Sequence, residues 1–289
     1  MSASLSPEWI LTFVGAGNMA EALVHGIVRA KLLPSRRLRV TDTERRRLDH
    51  FQATFGIAGF ERNGDGVRGA QIVVLAVKPQ VMAEAAPEIG AVLDPGALVI
   101  SIAAGISTRW LEQRLPKGIR IVRVMPNMPA LAGAGVSVYC LGSRASEEDA
   151  KLVESLFQSV GVVVRLDEKH LDAVTALSGS GPAYVFFLAE FMMQAGYEMG
   201  LDHATAKTLT LGTIRGAARL LEEMGQEPEE LRRRVTSKGG TTAAAMDVLE
   251  AGRAKEIFIK AIMAAQKRSR ELSEGMVSAR GGSAFGGNG

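Results

Sequence analysis

The chain has 289 residues, enough for about two domains, and 47% hydrophobic with 22% charged residues is ordinary globular composition. A net charge of +3 is too small to argue for nucleic acid, though it suits small anionic ligands. No run of about 18 apolar residues suggests a membrane span, and a single cysteine, Cys140, rules out a disulfide framework and a cysteine-built zinc site. The opening MSASLSPEWI has no basic flank and no long apolar stretch, so a cytoplasmic protein without a signal peptide is expected.

In chain order, LTFVGAG (11–17) reads as a buried strand running into a glycine turn, and NMAEALVHGIVRAKLL as the helix after it. LRVTD (38–42) and ERRRLDHFQATF repeat the strand–helix pattern. IVVLAV (72–77) and ALVISIA (97–103) are nearly continuous apolar runs, as strands covered on both faces should be. IRIVRVMP (119–126), VSVYC (136–140) and GVVVRL (161–166) add strands, and Cys140 reads as a packed thiol in one of them. Such alternation predicts a mostly parallel, doubly wound sheet. After about Asp167 the β-branched runs stop. PAYVFFLAEFMMQAGYEMG (182–200) is helical and apolar nearly all round, and HATAKTLTLGTIRGAARLLEEM (203–224) carries the small residues Gly212 and Gly216. ELRRRV, TAAAMDVLEAG and AKEIFIKAIMAAQKRSREL complete a helical second half, and GGSAFGGNG reads as a flexible tail. The expected organisation is α/β followed by all-α: a Rossmann-like dinucleotide-binding domain at 1–167, a helical domain at 168–275 and a tail at 276–289.

Gly15-Ala16-Gly17-Asn18-Met19-Ala20 matches G-x-G-x-x-A. It follows a strand, opens a helix and precedes a second strand ending at Asp42, which is the context a dinucleotide loop requires. Gly15 allows the tight turn, Gly17 lets backbone approach a pyrophosphate, and Asn18 and Met19 start the helix that faces it. Asp42 stands where a carboxylate accepts from a ribose 2′-hydroxyl and favours NAD. Arg45, Arg46 and Asn63 offer the opposite, a surround for a 2′-phosphate. The runs Arg45–Arg47 and Arg232–Arg234 otherwise read as solvated helix faces. Ala76, Val77, Lys78 and Pro79 end the fourth strand at the cofactor edge. Asn127 ends the sixth, presenting its amide to a nicotinamide or bonding its own turn.

Two further segments, SGSGP (178–182) and TSKGGTT (236–242), combine glycines and hydroxyls before apolar helices. Unpaired N–H groups at such starts hold a small carboxylate, or each is an ordinary helix cap with Thr241 or Thr242 near the N-cap. None of His25, His50, His170 and His203 has an evident acid–base partner, and neither H-E-x-x-H nor G-x-S-x-G occurs. A substrate that needs little proton machinery, such as an imine, fits this inventory better than a hydroxy acid. No metal site is expected.

VGAGNMAEAL, AVKPQ, SIAAGI, RVMPNMPA, ALSGSGPAY and TSKGGTT, in this order across residues 11–272, together resemble the pyrroline-5-carboxylate reductase family. Lys238 departs from it, standing where many members have proline. The resemblance implies reduction of (S)-1-pyrroline-5-carboxylate to L-proline, the last step of proline biosynthesis, with NADPH or NADH. It also implies a homodimer able to build into larger rings. By match to its motifs, Ser237, Gly240, Thr241 and neighbouring amides hold the substrate carboxylate, and Thr242 bonds the imine nitrogen as the catalytic group. Ser178 and Gly179 border the ring and nicotinamide, and Asn63 approaches the adenosine ribose. Other readings on this scaffold are a different imine or β-hydroxy-acid oxidoreductase and a non-catalytic nucleotide-binding protein.

Overall fold

The computed structural model describes residues 5–278. Strand β1 (Leu11–Val14) feeds α1 (Asn18–Arg29), and β2 (Leu38–Thr41) feeds α2 (Arg45–Phe55). β3 (Ala58–Phe60) and the short α3 (Asn63–Val67) follow. β4 (Ile72–Leu75) and β5 (Leu98–Ser101) lead towards α4 (Met82–Gly90) and α5 (Thr108–Glu112). β6 (Arg120–Met125), β7 (Gly135–Leu141), α6 (Glu147–Gln158) and β8 (Gly161–Arg165) complete the sheet.

The sheet has eight strands among the described residues, in the order β3-β2-β1-β4-β5-β6-β7-β8. All neighbours are parallel except β6 and β7, which pair antiparallel from Val122↔Leu141 to Met125↔Val138. A parallel crossover takes roughly a dozen residues or more. The link at 126–134 is shorter, so the chain turns back. Alternation along the central strands builds two cores. Phe13, Ile72, Val74, Leu98 and Ile100 join Leu23, Phe51 and Phe157 on one face. Val14, Val73, Leu75 and Val99 join Met82, Ile89, Trp110 and Leu111 on the other. The order of strands reverses between β1 and β4, and ligands of doubly wound sheets bind beyond the carboxyl ends of the strands at such a point.

Past β8 come α7 (Leu171–Val174), a π-turn at Thr175–Gly179, α8 (Gly181–Glu198) and α9 (His203–Met224). α10 (Pro228–Arg234), α11 (Thr241–Ala251) and α12 (Ala254–Ser278) end the described chain. The tail expected at 276–289 lies outside the described residues beyond Ser278, and helix continues through 276–278. Two compact units result: one runs to Gly179 and resumes at Ala265, the other is Ser180–Ala264. Segment 168–179, placed by sequence with the helices, therefore packs with the sheet. Leu171 and Val174 bury against Val138 and Cys140. The end of α12 joins the same unit, where Ser269 Oγ donates to Asp172 Oδ1 at 2.7 Å.

Cys140 is buried, and desolvation, reinforced by the charge of Glu168, pushes its thiol up to about 12. The expected packed thiol is therefore also an inert one. Alkylation of the native protein at pH 8 is expected to run on the order of a hundredfold or more slower than in denaturant, because the thiolate is the nucleophile. Equal rates, read by mass spectrometry, would contradict this burial.

Candidate active site

The carboxyl ends of β1, β2 and β4 open onto a cleft of about 500 Å³. Its lining includes Gly15, Gly17, Asn18, Asp42, Asn63, Ala76, Val77 and Lys78, eight of the cofactor residues expected from sequence. Met19, Pro79 and Asn127 are not part of that lining. Gly15 has φ +102°, and a Cβ there would come within 2.8 Å of the Ala76 carbonyl, so glycine is required twice over. Gly17 differs: a Cβ on it would meet nothing within 4 Å. The protein itself leaves that space open. Gly17 is also the N-cap of α1, extended and without a side-chain cap bond. Open space and unoccupied first-turn amides fit a bound pyrophosphate.

Asp42 does more than face the cleft. Its Oδ2 accepts from Ala16 N–H at 2.8 Å and its Oδ1 from Glu44 N–H at 2.9 Å, so the carboxylate braces the glycine turn. Arg47, which sequence left on the solvated face, lines the cleft. Its Nε donates to the Ala16 carbonyl at 2.7 Å and its Nη2 to Glu21 at 3.2 Å. The available signal was the spacing Arg47–Phe51 beside Leu48, which puts the guanidinium stem on the inward face of α2. Burial pushes the Glu21 carboxyl up, but the hydrogen bond and charge of His50, together with Arg47, outweigh it and hold it below the usual range. His50 is thus a brace here. Thr41, Thr43, Glu44 and Val81 also line the cleft without having been anticipated.

Of the groups expected around a 2′-phosphate, Arg45 is committed to Asp49 and Glu61. Asn63 accepts from Thr41 Oγ1 at 2.7 Å and donates to Glu88 Oε2 at 2.8 Å. Arg46 is exposed and carries no ion pair among the described residues. Asn127 is 8% exposed, and both ends of its amide are engaged within the protein.

The second unit supplies the other feature. Gly240, not a threonine, is the N-cap of α11, and it offers no side chain. Ala244 N–H makes the first helical bond, to Gly240 O at 3.2 Å, while the amides of Thr241, Thr242 and Ala243 find no acceptor among the described residues. The hydroxyls of Ser237, Thr241 and Thr242 are likewise unengaged. A turn precedes them, closed by Gly240 N–H to Ser237 O at 3.0 Å, with Gly239 at φ +71°. Lys238 is second in that turn, the position proline favours, which explains how either residue serves there. A Cβ on Gly240 would come within 2.4 Å of Ser237 Oγ, so glycine leaves that hydroxyl its place.

SGSGP behaves otherwise. The expected glycine loop with a free helix start does not exist. The backbone stays helical from the π-turn through Ser180 (φ −83°, ψ −18°) into α8, so no open N-terminus forms there. Pro182 is second in α8, not first. Single-turn π segments inside helices recur at functional sites.

A reductase from Pisum sativum, pyrroline-5-carboxylate reductase, is 40% identical over 269 residues, 93% of this chain and 98% of that one. The chain belongs to the pyrroline-5-carboxylate reductase family. The family model described as pyrroline-5-carboxylate reductase dimerisation matches residues 168–272, and the one described as NADP oxidoreductase coenzyme F420-dependent matches residues 10–105. Among solved structures, a pyrroline-5-carboxylate reductase from Coxiella burnetii is 39% identical with a TM-score of 0.83, covering 91% of this chain and 98% of its own. The Plasmodium falciparum pyrroline carboxylate reductase with NADP bound is 31% identical with a TM-score of 0.86, covering 93% and 100%. The match of residues 168–272 to a dimerisation model makes the helical part an assembly module, and the protein is a homo-oligomer.

Proposed function

We infer that this protein reduces (S)-1-pyrroline-5-carboxylate to L-proline with NADPH or NADH, the last step of proline biosynthesis. The observation that carries this reading is the start of α11: three amides and three hydroxyls that find no partner among the described residues, around an N-cap with no side chain. The fold has no need of that arrangement, and a small carboxylate does. We assign the carboxylate to Ser237, Thr241 and the amides of Thr241, Thr242 and Ala243. Gly240 contributes room, since its own N–H is taken by Ser237 O. Thr242 donates to the imine nitrogen. When bound, the nicotinamide supplies the hydride that adds to the C=N carbon, and the nitrogen, polarised by the Thr242 hydroxyl, takes its proton from solvent. The chain's part is to orient substrate and polarise the nitrogen. Gly15, Gly17, Asn18 and Met19 form the pyrophosphate turn, Asp42 and Asn63 border the adenosine ribose, and Ala76 to Lys78 form the cleft's other wall.

The deciding experiment follows loss of reduced-nicotinamide absorbance with pyrroline-5-carboxylate and with β-hydroxy acids in the reverse direction. Turnover of a hydroxy acid with none of the pyrroline would replace this reading by the other one. Both cofactors are expected to work, with NADPH modestly preferred. Asp42→Ala is expected to weaken NADH binding about tenfold, because the ribose 2′-hydroxyl loses its carboxylate acceptor and the glycine turn loses the acceptor of Ala16 N–H. NADPH suffers less, so the NADPH/NADH ratio rises; an unchanged ratio would remove Asp42 from the ribose. The assembly we propose is a homodimer able to build into larger rings. Among the described residues no helix is long and apolar enough to cross a membrane. The need for a reduced nicotinamide supports a cytoplasmic location, which cell fractionation tests.

A further inference from the structure

We propose that Asn127 is a positioning residue that acts on the reaction through Ser178, setting the direction of the Ser178 hydroxyl, and does not itself serve the cofactor. The proposal rests on the reading that Ser178 borders the substrate.

Ser178 lies in the π-turn Thr175–Gly179. In a regular helix its carbonyl would accept from the residue four positions on. That residue is Pro182, which has no N–H to give. Asn127 supplies the donor instead: its Nδ2 lies 3.2 Å from Ser178 O and 3.3 Å from Ser178 Oγ. The other end of the amide is held too, since Oδ1 accepts from Val136 N–H at 2.8 Å. The amide can sit only this way round, because Val136 N–H can only donate and the Ser178 carbonyl can only accept. Asn127 is 8% exposed, which leaves little room for water to substitute. A Cβ on Gly179 would come within 2.7 Å of Met125 Cε, so the end of β6 packs closely against the last residue of the π-turn.

The chemical consequence concerns the hydroxyl. Ser178 Oγ accepts from Asn127, which leaves its own O–H to donate, and no described residue takes it. Its place and direction are thus set from the β6–β7 link, and the free donor suits an acceptor atom on a small ligand. An amide doing this work cannot also present its polar atoms to a nicotinamide.

Asn127→Asp separates the two ends of the amide. A carboxylate still accepts from Val136 N–H but cannot donate to Ser178. At pH 8 the KM for pyrroline-5-carboxylate is expected to rise about tenfold, the effect of leaving a buried acceptor unpaired. The dissociation constant of the reduced cofactor, read by nicotinamide fluorescence, stays as in the wild type. Burial between two acceptors favours the neutral acid. As pH falls the protonated carboxyl donates again, and the ratio of variant to wild-type KM returns toward one. The melting temperature of the variant relative to wild type recovers in parallel. Asn127→Ala, which places no charge in the turn, shows the raised KM without recovery at low pH and covers the case in which the aspartate variant does not fold. A KM ratio independent of pH in Asn127→Asp, wild-type KM in Asn127→Ala, or a defect confined to cofactor binding overturns the proposal. So does a melting temperature that recovers while KM does not, since the link would then be purely structural. Ser178→Ala with wild-type KM would instead overturn the placement of Ser178 at the substrate, and the pH-dependent melting of Asn127→Asp would still report the link itself.

Discussion

Thr242→Val is expected to lower kcat on the order of a hundredfold, the usual cost of removing one positioned donor from a reacting centre. Valine keeps the branched shape and loses only the hydroxyl. Thr242 is the second residue of α11, and the N-cap is Gly240, so no cap is lost with it. Among the described residues the hydroxyl holds no other residue in place. Melting temperature and cofactor affinity should therefore match the wild type, and the loss should fall on kcat. That combination distinguishes a group acting on the imine from one supporting the helix. Ser237→Ala makes the contrast: assigned to the carboxylate, it should raise KM more than it lowers kcat. Wild-type kcat in Thr242→Val would remove Thr242 from the reaction.

The sheet was legible because its strands carry their own signal. LTFV, IVVL and LVIS are apolar but for Thr12 and Ser101, and each is buried at every position. β3 escaped because AGF is short and two of its three residues are exposed, so it has no burial pattern to betray it. The glycine turn was legible because its residue types have no other use. What Asp42 and Asn63 do there was not. Their partners, Ala16 and Glu88, lie 26 and 25 positions away, and sequence spacing says nothing about which side chain turns to which. The π-turn was misread as a loop for a related reason. Serines and glycines before a proline signal a break, yet Asn127 stands in for the missing donor and lets the helix run on. The boundary near 168 follows the end of the β-branched runs. The compact unit reaches Gly179 because Leu171 and Val174 find their cover on β7, a contact no local pattern announces.

Phe187→Glu is expected to dissociate or unfold the protein and abolish reduction. α8 is apolar on nearly all sides, and a helix apolar all round must be buried. In the single chain it is not. Phe186 is 54% exposed, Phe187 55% and Phe191 48%, and the rings of Phe187 and Phe191 pack on each other at 4.1 Å. Leu209 and Leu211 of α9 and Ile257 and Ile259 of α12 stand out in the same way. Gly212 and Gly216, four apart on α9, have nothing within 4 Å of where a Cβ would lie, which leaves their backbone open to another chain. Helices within the unit cannot cover this much apolar surface, and a second copy can. A carboxylate at 187 would then be buried in an apolar interface without a partner, at a cost of several kcal/mol. Phe187→Leu keeps the apolar character and should remain assembled and active, which separates charge from shape. Sedimentation of both variants beside the wild type at micromolar concentration makes the measurement. A stable, fully active wild-type monomer in that run would mean that the exposed face of α8 needs no partner.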